Sequence, residues 1–147
     1  MTPRRLDKDS VNGKINAMEP LVEVLRRQMP LTGRDLDSDL ERRLTVERAL
    51  GVVVDLAVSI NSHVAKAGGG QQARDYHDSF LVAARVGTIT TELAERLAPH
   101  AGLRSALAHR YDEIDLDRVA AAVPLVVEGF DEYVRQTSVW LTQQEDR

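Results

Sequence analysis

The stretch from Leu50 to Ile60, LGVVVDLAVSI, constrains this chain more than any other. Its apolar residues fall on nearly every side of a helix. A helix of that kind cannot lie on a surface, so other elements must enclose it. Ser38-Asp39-Leu40-Glu41 precedes it as a capping box, with Glu41 three residues after the capping serine. The helix so opened runs to about Lys66, polar at first and apolar from Leu50 onward. Asp55, Ser59 and His63 interrupt it at i, i+4 and i+8 and therefore share one polar stripe. Such a stripe is a solvated seam, a satisfied internal network or the polar wall of a cleft.

The rest of the chain supplies the enclosing elements. Residues 1–8 read as a loose arm. Val11, Ile15, Met18, Val22 and Leu25 recur at spacings of three and four, predicting an amphipathic helix from Ser10 to Gln28 that Pro20 should kink or split. Met29-Pro30-Leu31-Thr32-Gly33 is a break, and Gly68-Gly69-Gly70 a flexible turn that lacks the Lys-Ser/Thr of a phosphate loop. A shorter helix is expected from Ala73 to Val86, closed by Gly87. Thr90 caps the next, with Glu92 in its first turn, and that helix should stop near Pro99-His100-Ala101-Gly102. Asp115 caps a last long helix to about Gln143, bent at Pro124, with Val119, Val123, Val126 or Val127, Phe130, Val134 and Leu141 on its buried side. No alternating β-run of useful length occurs. The fold class is therefore all-α: one domain, residues 1–147, forming an antiparallel bundle of about five helices.

Composition narrows the function classes. With no cysteine there is neither a disulfide nor a thiolate metal site, which suits a reducing cytoplasm. No apolar leader opens the chain, and no run is long enough to span a membrane. The net charge of −4 argues against a broad, non-specific nucleic-acid binder. Any phosphate chemistry must be local.

The place for it is Arg104-Ser105-Ala106-Leu107-Ala108-His109-Arg110-Tyr111. This segment gathers an arginine, a histidine and a tyrosine within eight residues of a chain with four histidines and three tyrosines. A guanidinium suits a phosphate, and a histidine moves protons near neutral pH. On a continuous helix Arg104 and Tyr111, seven apart, are about 20° from alignment, whereas His109 lies about 140° from Arg104. The offset is closed if the arginine reaches across, if the helix begins irregularly after Gly102, or if a second subunit completes the site. A two-fold dimer would set two histidines and two arginines around one cleft. That arrangement suits metal-free cleavage of an RNA phosphodiester, which needs a base, an acid and positive charge for the phosphorane. Neither Glu-x-x-His nor His-x-x-x-His occurs, removing the common di-iron and zinc-protease patterns.

Arg104, His109 and Tyr111 stand as R-x4-H-x-Y, which resembles the motif of the HepT toxins of the HEPN superfamily. Tyr76 and Phe80 are similar to that family's Y-x3-F helix. Gly87-Thr88-Ile89 and Leu93 to Leu97 resemble its lead-in, and Tyr111 to Asp115 its Y-x2-[IV]-D ending. The similarity covers about residues 38–135. It implies a helical, dimeric, metal-independent endoribonuclease with no cofactor of its own, acting as the toxin of a bacterial toxin–antitoxin pair. It also implies a partner, an MntA-like nucleotidyltransferase antitoxin that moves AMP from ATP onto Tyr111. Ser105 stands where the family usually has Asn or Asp, and it reaches less far.

Plainer readings stand beside these. Arg104 and His109 can be a solvated helix face, and Tyr111 a buried anchor of the bundle. His77 between Asp75 and Asp78 reads as surface, His100 as part of a turn, and Tyr133 and Trp140 as packing or dimer contacts. Two rival functions follow. One is a non-catalytic HEPN-type module that holds a nucleotidyltransferase partner or a nucleotide through the same face; the other is a plain dimeric scaffold.

Overall fold

A computed structural model describes residues 5–144. They form α1 (Lys8–Arg27), α2 (Gly33–Ser38), α3 (Leu40–Ala67), α4 (Tyr76–Val86), α5 (Thr91–His109) and α6 (Leu116–Thr142), with a 3₁₀ turn at Tyr111–Glu113 between the last two. The all-α bundle expected from the sequence is the observed architecture. No described helix is long and apolar enough to cross a membrane.

α3 is the axis. It packs against all five other helices, as a helix apolar on most sides must. Val46, Leu50, Val53, Val54, Ala57, Ile60 and Val64 are buried along it. The α3 start is capped by Asp39, which accepts from Arg42 N at 3.1 Å, and not by Ser38, which ends the short helix α2. The capping box belongs instead to α2, where Thr32 and Asp35 each accept from the other's backbone N–H. Its six residues are too few to show a hydrophobic period, so α2 was not expected.

Four other features differ from expectation, each for a local reason. α1 begins at Lys8, so the described part of the arm, residues 5–7, is not loose: Asp7 caps α1 by accepting from Ser10 N at 3.0 Å. Residues 1–4 lie outside the described residues. Pro20 does not split α1, whose buried stripe continues through Met18, Val22 and Leu25. α5 likewise runs through Pro99, because Leu93, Leu97, Ala98, Ala101 and Leu103 keep one side of it buried throughout. His100 therefore sits inside a helix rather than in a turn, and burial holds its imidazole below the ordinary histidine value. α4 starts at Tyr76, three residues later than expected, behind the Asp75 cap. Gly87, at φ 103°, closes it in the left-handed conformation that glycine adopts without strain.

α6 packs Val119, Val123, Val126, Val127, Phe130 and Leu141 inward; Val134 is half-buried, and its neighbour Tyr133 is enclosed completely. Trp140 packs partly buried against the same core. Phe80, Phe130 and Tyr133 form a tilted and edge-on cluster with centroids 5.7 to 6.3 Å apart. The phenol of Tyr133 lies 2.7 Å from Asn61 Oδ1 and 3.2 Å from Ala57 O on α3. Asn61 Nδ2 donates to Ser79 Oγ at 3.3 Å, and Ser79 Oγ donates to Tyr76 O at 2.8 Å. This buried chain of polar groups ties α6, α3 and the first turn of α4 together.

Tyr133→Phe removes one hydroxyl and strands its buried acceptor, so it should cost about 1–3 kcal/mol. Urea unfolding should show a lower midpoint with an unchanged slope; an unchanged midpoint would mean that the hydroxyl contributes nothing to the bundle.

Candidate active site

α5 brings the R-x4-H pair to the surface. Its buried side is Leu97, Ala98, Ala101, Leu103 and Ala106. Arg104 is therefore half-buried, while Ser105, Ala108 and His109 are exposed. The helix is regular up to His109, which excludes an irregular start after Gly102. At Arg110 the backbone leaves the helical region (φ −133°, ψ 45°), although its N–H still bonds Ala106 O at 2.8 Å.

That turn overturns the expected alignment of Arg104 with Tyr111. The seven-residue argument needs a continuous helix, and the helix ends two residues too soon. Tyr111 sits in the 3₁₀ turn, 43% exposed, with the guanidinium carbon of Arg43 4.6 Å from its ring centroid. Tyr111 is thus not a buried anchor. Arg104 instead crosses to α3, where Nε donates to Asp55 Oδ1 at 2.8 Å and Nη2 to Oδ2 at 3.1 Å. Asp55 and Arg43 are twelve residues apart on α3, about 18 Å along its axis. The motif arginine and the motif tyrosine therefore belong to different neighbourhoods.

The Asp55–Arg104 pair fixes which side of the arginine is usable. A guanidinium carries five N–H groups in a planar fork, with one edge at Nε and Nη2 and another at Nη1 and Nη2. Asp55 takes the first edge and leaves the second to meet a phosphate bidentately. The Asp55 carboxylate also holds Arg104 above its ordinary pKa, chiefly through these hydrogen bonds and against the opposing effect of partial burial. The ring of Tyr76, 42% exposed, lies 5.9 Å from the Arg104 guanidinium. In sequence Tyr76 pairs with Phe80, yet the two diverge in the structure: Phe80 is core and Tyr76 faces the arginine.

The polar stripe of α3 opens on the same region. Asp55, Ser59 and His63, with Tyr76, line a groove of about 940 Å³ between the start of α1, the second half of α3 and the start of α4. His63 Nε2 accepts the Asp7 N–H at 2.9 Å, so the imidazole carries its proton on Nδ1 and ties α1 to α3. The site as seen in one protomer thus joins Arg104, Asp55 and Tyr76 directly. Ser59 and His63 lie further along the groove, and His109 and Ser105 are on the exposed side of α5. Among the described residues, no three His, Cys, Asp or Glu side chains gather as a metal-binding group. Sequence reasoning missed Arg43 as the neighbour of Tyr111. It stands one turn before Glu47, with which it forms an ion pair, and so reads as an ordinary i, i+4 couple.

Comparison with known proteins places this geometry. The model of the HepT-like ribonuclease family matches residues 18–137. A tRNA nuclease HepT of Aphanizomenon flos-aquae is 30% identical over 144 residues, covering 88% of this chain and 96% of that protein. An mRNA nuclease HepT of Shewanella oneidensis is 32% identical over 91 residues, 62% of this chain and 65% of that one. Among solved structures, the tri-AMPylated Shewanella oneidensis HEPN toxin in complex with its MNT antitoxin superposes with a TM-score of 0.79 at 22% identity. The superposition covers 89% of this chain and 98% of that one. A toxin–antitoxin structure with AMP-PNP superposes over the same shares at a TM-score of 0.80 and 21% identity. These two likenesses establish the HEPN-type fold.

The Asp55–Arg104 pair is open to direct measurement. Asp55→Ala and Arg104→Ala, unfolded singly and together, should show a coupling of about 0.5–1 kcal/mol, the range for a partly exposed bidentate pair. Strict additivity would mean that the two side chains do not hold each other.

Proposed function

The chain belongs to the HepT-like ribonuclease family, and on that premise we propose that it is a metal-independent endoribonuclease, the toxin of a toxin–antitoxin pair. The observation that carries this is an arginine with one edge locked by Asp55 and its other edge unpaired among the described residues, on the same helix as an exposed histidine. Arg104 would hold the scissile phosphate and neutralise the charge that grows on the phosphorane. His109 would take the proton of the attacking 2′-hydroxyl or give one to the departing 5′-oxygen. The P–O5′ bond breaks as the 2′-oxygen bonds to phosphorus, leaving a 2′,3′-cyclic phosphate and a 5′-hydroxyl. Nothing in that exchange calls for a metal ion.

One histidine cannot be both base and acid at the same moment, and His109 lies a third of a turn or more from Arg104. A two-fold dimer supplies the second histidine. One feature supports such a dimer. Leu40 and Leu44, in the first turns of α3, are 62% and 49% exposed. They continue, at helical spacing, the uncovered stripe of α3 that leads through Val52 to Asp55. A stripe that opens on two exposed leucines suits a second copy better than solvent.

Control belongs to Tyr111. An MntA-like nucleotidyltransferase would transfer AMP from ATP onto its exposed hydroxyl; the Shewanella oneidensis HEPN toxin, which is tri-AMPylated and bound to an MNT antitoxin, supports this reading. In this chain the new phosphodiester would meet Arg43, not Arg104. It would add negative charge and a base at the edge of the proposed dimer cleft, blocking RNA by occupancy and by repulsion.

Two outcomes test the proposal. His109→Ala should abolish cleavage of cellular RNA, measured with and without EDTA, while leaving the helical circular dichroism unchanged, because the side chain is exposed. Arg104→Lys should be almost as impaired, since an ammonium cannot replace the bidentate fork. Loss of activity on chelation in the unmodified protein would overturn the metal-free mechanism.

Co-expression with the cognate nucleotidyltransferase should add one or more AMP mass increments at Tyr111 and silence cleavage. Tyr111→Phe should stay unmodified and active. A phenylalanine variant that is still modified and silenced would place control at another residue.

A further inference from the structure

The groove beside Arg104 has a composition unlike the rest of the surface. The chain uses arginine almost exclusively, with only three lysines, Lys8, Lys14 and Lys66. All three line this one groove, and Arg5 joins them. Its carboxylates are Asp7, Asp9 and Asp55, of which two are committed: Asp7 caps α1 and Asp55 holds Arg104. Among the described residues that line it, cations therefore outnumber carboxylates, in a chain whose net charge is −4.

The choice of lysine suits an irregular polyanion. A guanidinium reads one planar geometry, whereas an ammonium on a flexible stem follows phosphates whose positions vary along a strand. The groove is also continuous with the reacting end of the site. Asp55 and Tyr76, the two groups that contact the Arg104 side chain, form part of its wall. Tyr76 further presents a half-exposed ring at that end. A cationic groove with an exposed aromatic is how proteins hold single-stranded nucleic acid, by backbone charge and base stacking without reading sequence.

We propose that this groove carries the RNA strand on one side of the scissile phosphate, with Lys8, Lys14, Lys66 and Arg5 facing backbone phosphates and Tyr76 stacking on a base. The inference rests on the ribonuclease reading above and adds to it a substrate-holding surface made by the start of α1. Lys8 also has a structural role, its ammonium donating to Gln144 O near the end of α6. Lys14 and Lys66 are accordingly the residues to change. Lys14 bonds only within its own helix, to Ser10 Oγ, and Lys66 is exposed, so neither change should disturb the fold.

The experiment compares Lys14→Gln/Lys66→Gln with an equal neutralisation outside the groove, Arg27→Gln/Arg34→Gln. Binding of fluorescently labelled bulk bacterial tRNA is read in the His109→Ala background across a salt series, and cleavage of the same tRNA in the parent protein. The lysine pair should weaken binding about tenfold at moderate salt and lower the log–log salt slope by about 1.4, the single-strand value for two contacts. In cleavage its loss should fall on KM rather than kcat. The arginine pair should leave both readouts unchanged, and Tyr76→Ala should weaken binding without altering the slope. Equal effects of the two pairs, or no effect of the lysine pair on a protein that does cleave tRNA, would overturn the groove and leave the ribonuclease reading standing. A parent protein that neither binds nor cleaves the tRNA or total cellular RNA would remove both.

Discussion

Enclosure of α3 is the constraint on which the other elements depend. A helix of 28 residues with an apolar middle can be satisfied only by neighbours on nearly every side, and the chain has five further helices with which to provide them. They cover it incompletely. Leu40, Leu44, Arg48, Val52, Asp55 and Ser59 follow one another at helical spacing and none is fully buried. This single uncovered stripe is where polar side chains can enter the heart of the bundle without being stranded. Asp55 on that stripe, Arg104 reaching to it and the groove beyond it are consequences of the same incomplete wrapping.

An ion pair at such an edge gains more from geometry than from energy. Deep in the core the two charges would suffer desolvation that their attraction need not repay, and on an open surface the pair would be worth little. Asp55 and Arg104 lie between these limits, with side chains 35% and 27% exposed. The arginine's donors on one edge are aligned while part of its side chain stays exposed. A guanidinium held in this way is ready for a phosphate before one arrives, which is the condition for electrostatic help during bond breaking. The buried Tyr133–Asn61–Ser79 chain serves the same end from below, because it anchors the turn of α4 that carries Tyr76.

Much of this was legible in the sequence, and the failures have physical causes. Periodicity found α1 and α6 because their buried stripes are long, and the run apolar on nearly every side found α3. Caps found the starts of α5 and α6, since Thr90 and Asp115 each accept backbone N–H groups just inside the helix. Proline misled twice: Pro20 and Pro99 each remove a backbone donor, yet the buried residues on either side hold the helix in one piece. The motif pointed correctly to α5 as the place of Arg104 and His109. It could not show that Arg104 ends on Asp55, 49 residues away, because neither spacing nor composition links them. Nor could it show Tyr111 turning away, since the helix stops at Arg110 through a backbone angle that no residue type there compels.

Position along α3 then separates what its stripe can do. Its first turns carry Leu40 and Leu44, apolar and uncovered, with Tyr111 under Arg43 beside them. Its middle carries Asp55 and, through it, Arg104. Its last turns, from Ser59 to Lys66, form one wall of the lysine-lined groove. The proposed self-association, phosphate chemistry and strand holding thus fall in order along one rigid rod of about 42 Å. The rod fixes their spacing without any of them touching another. A change on its inward side, at Val53 or Ala57, would disturb all three together through packing, whereas a change on the stripe would reach only one. Under the proposed control, a covalent group on Tyr111 would therefore act from the association end of the rod, not by displacing Asp55 from Arg104. The pair proposed to prepare the phosphate site would stay intact in the modified protein.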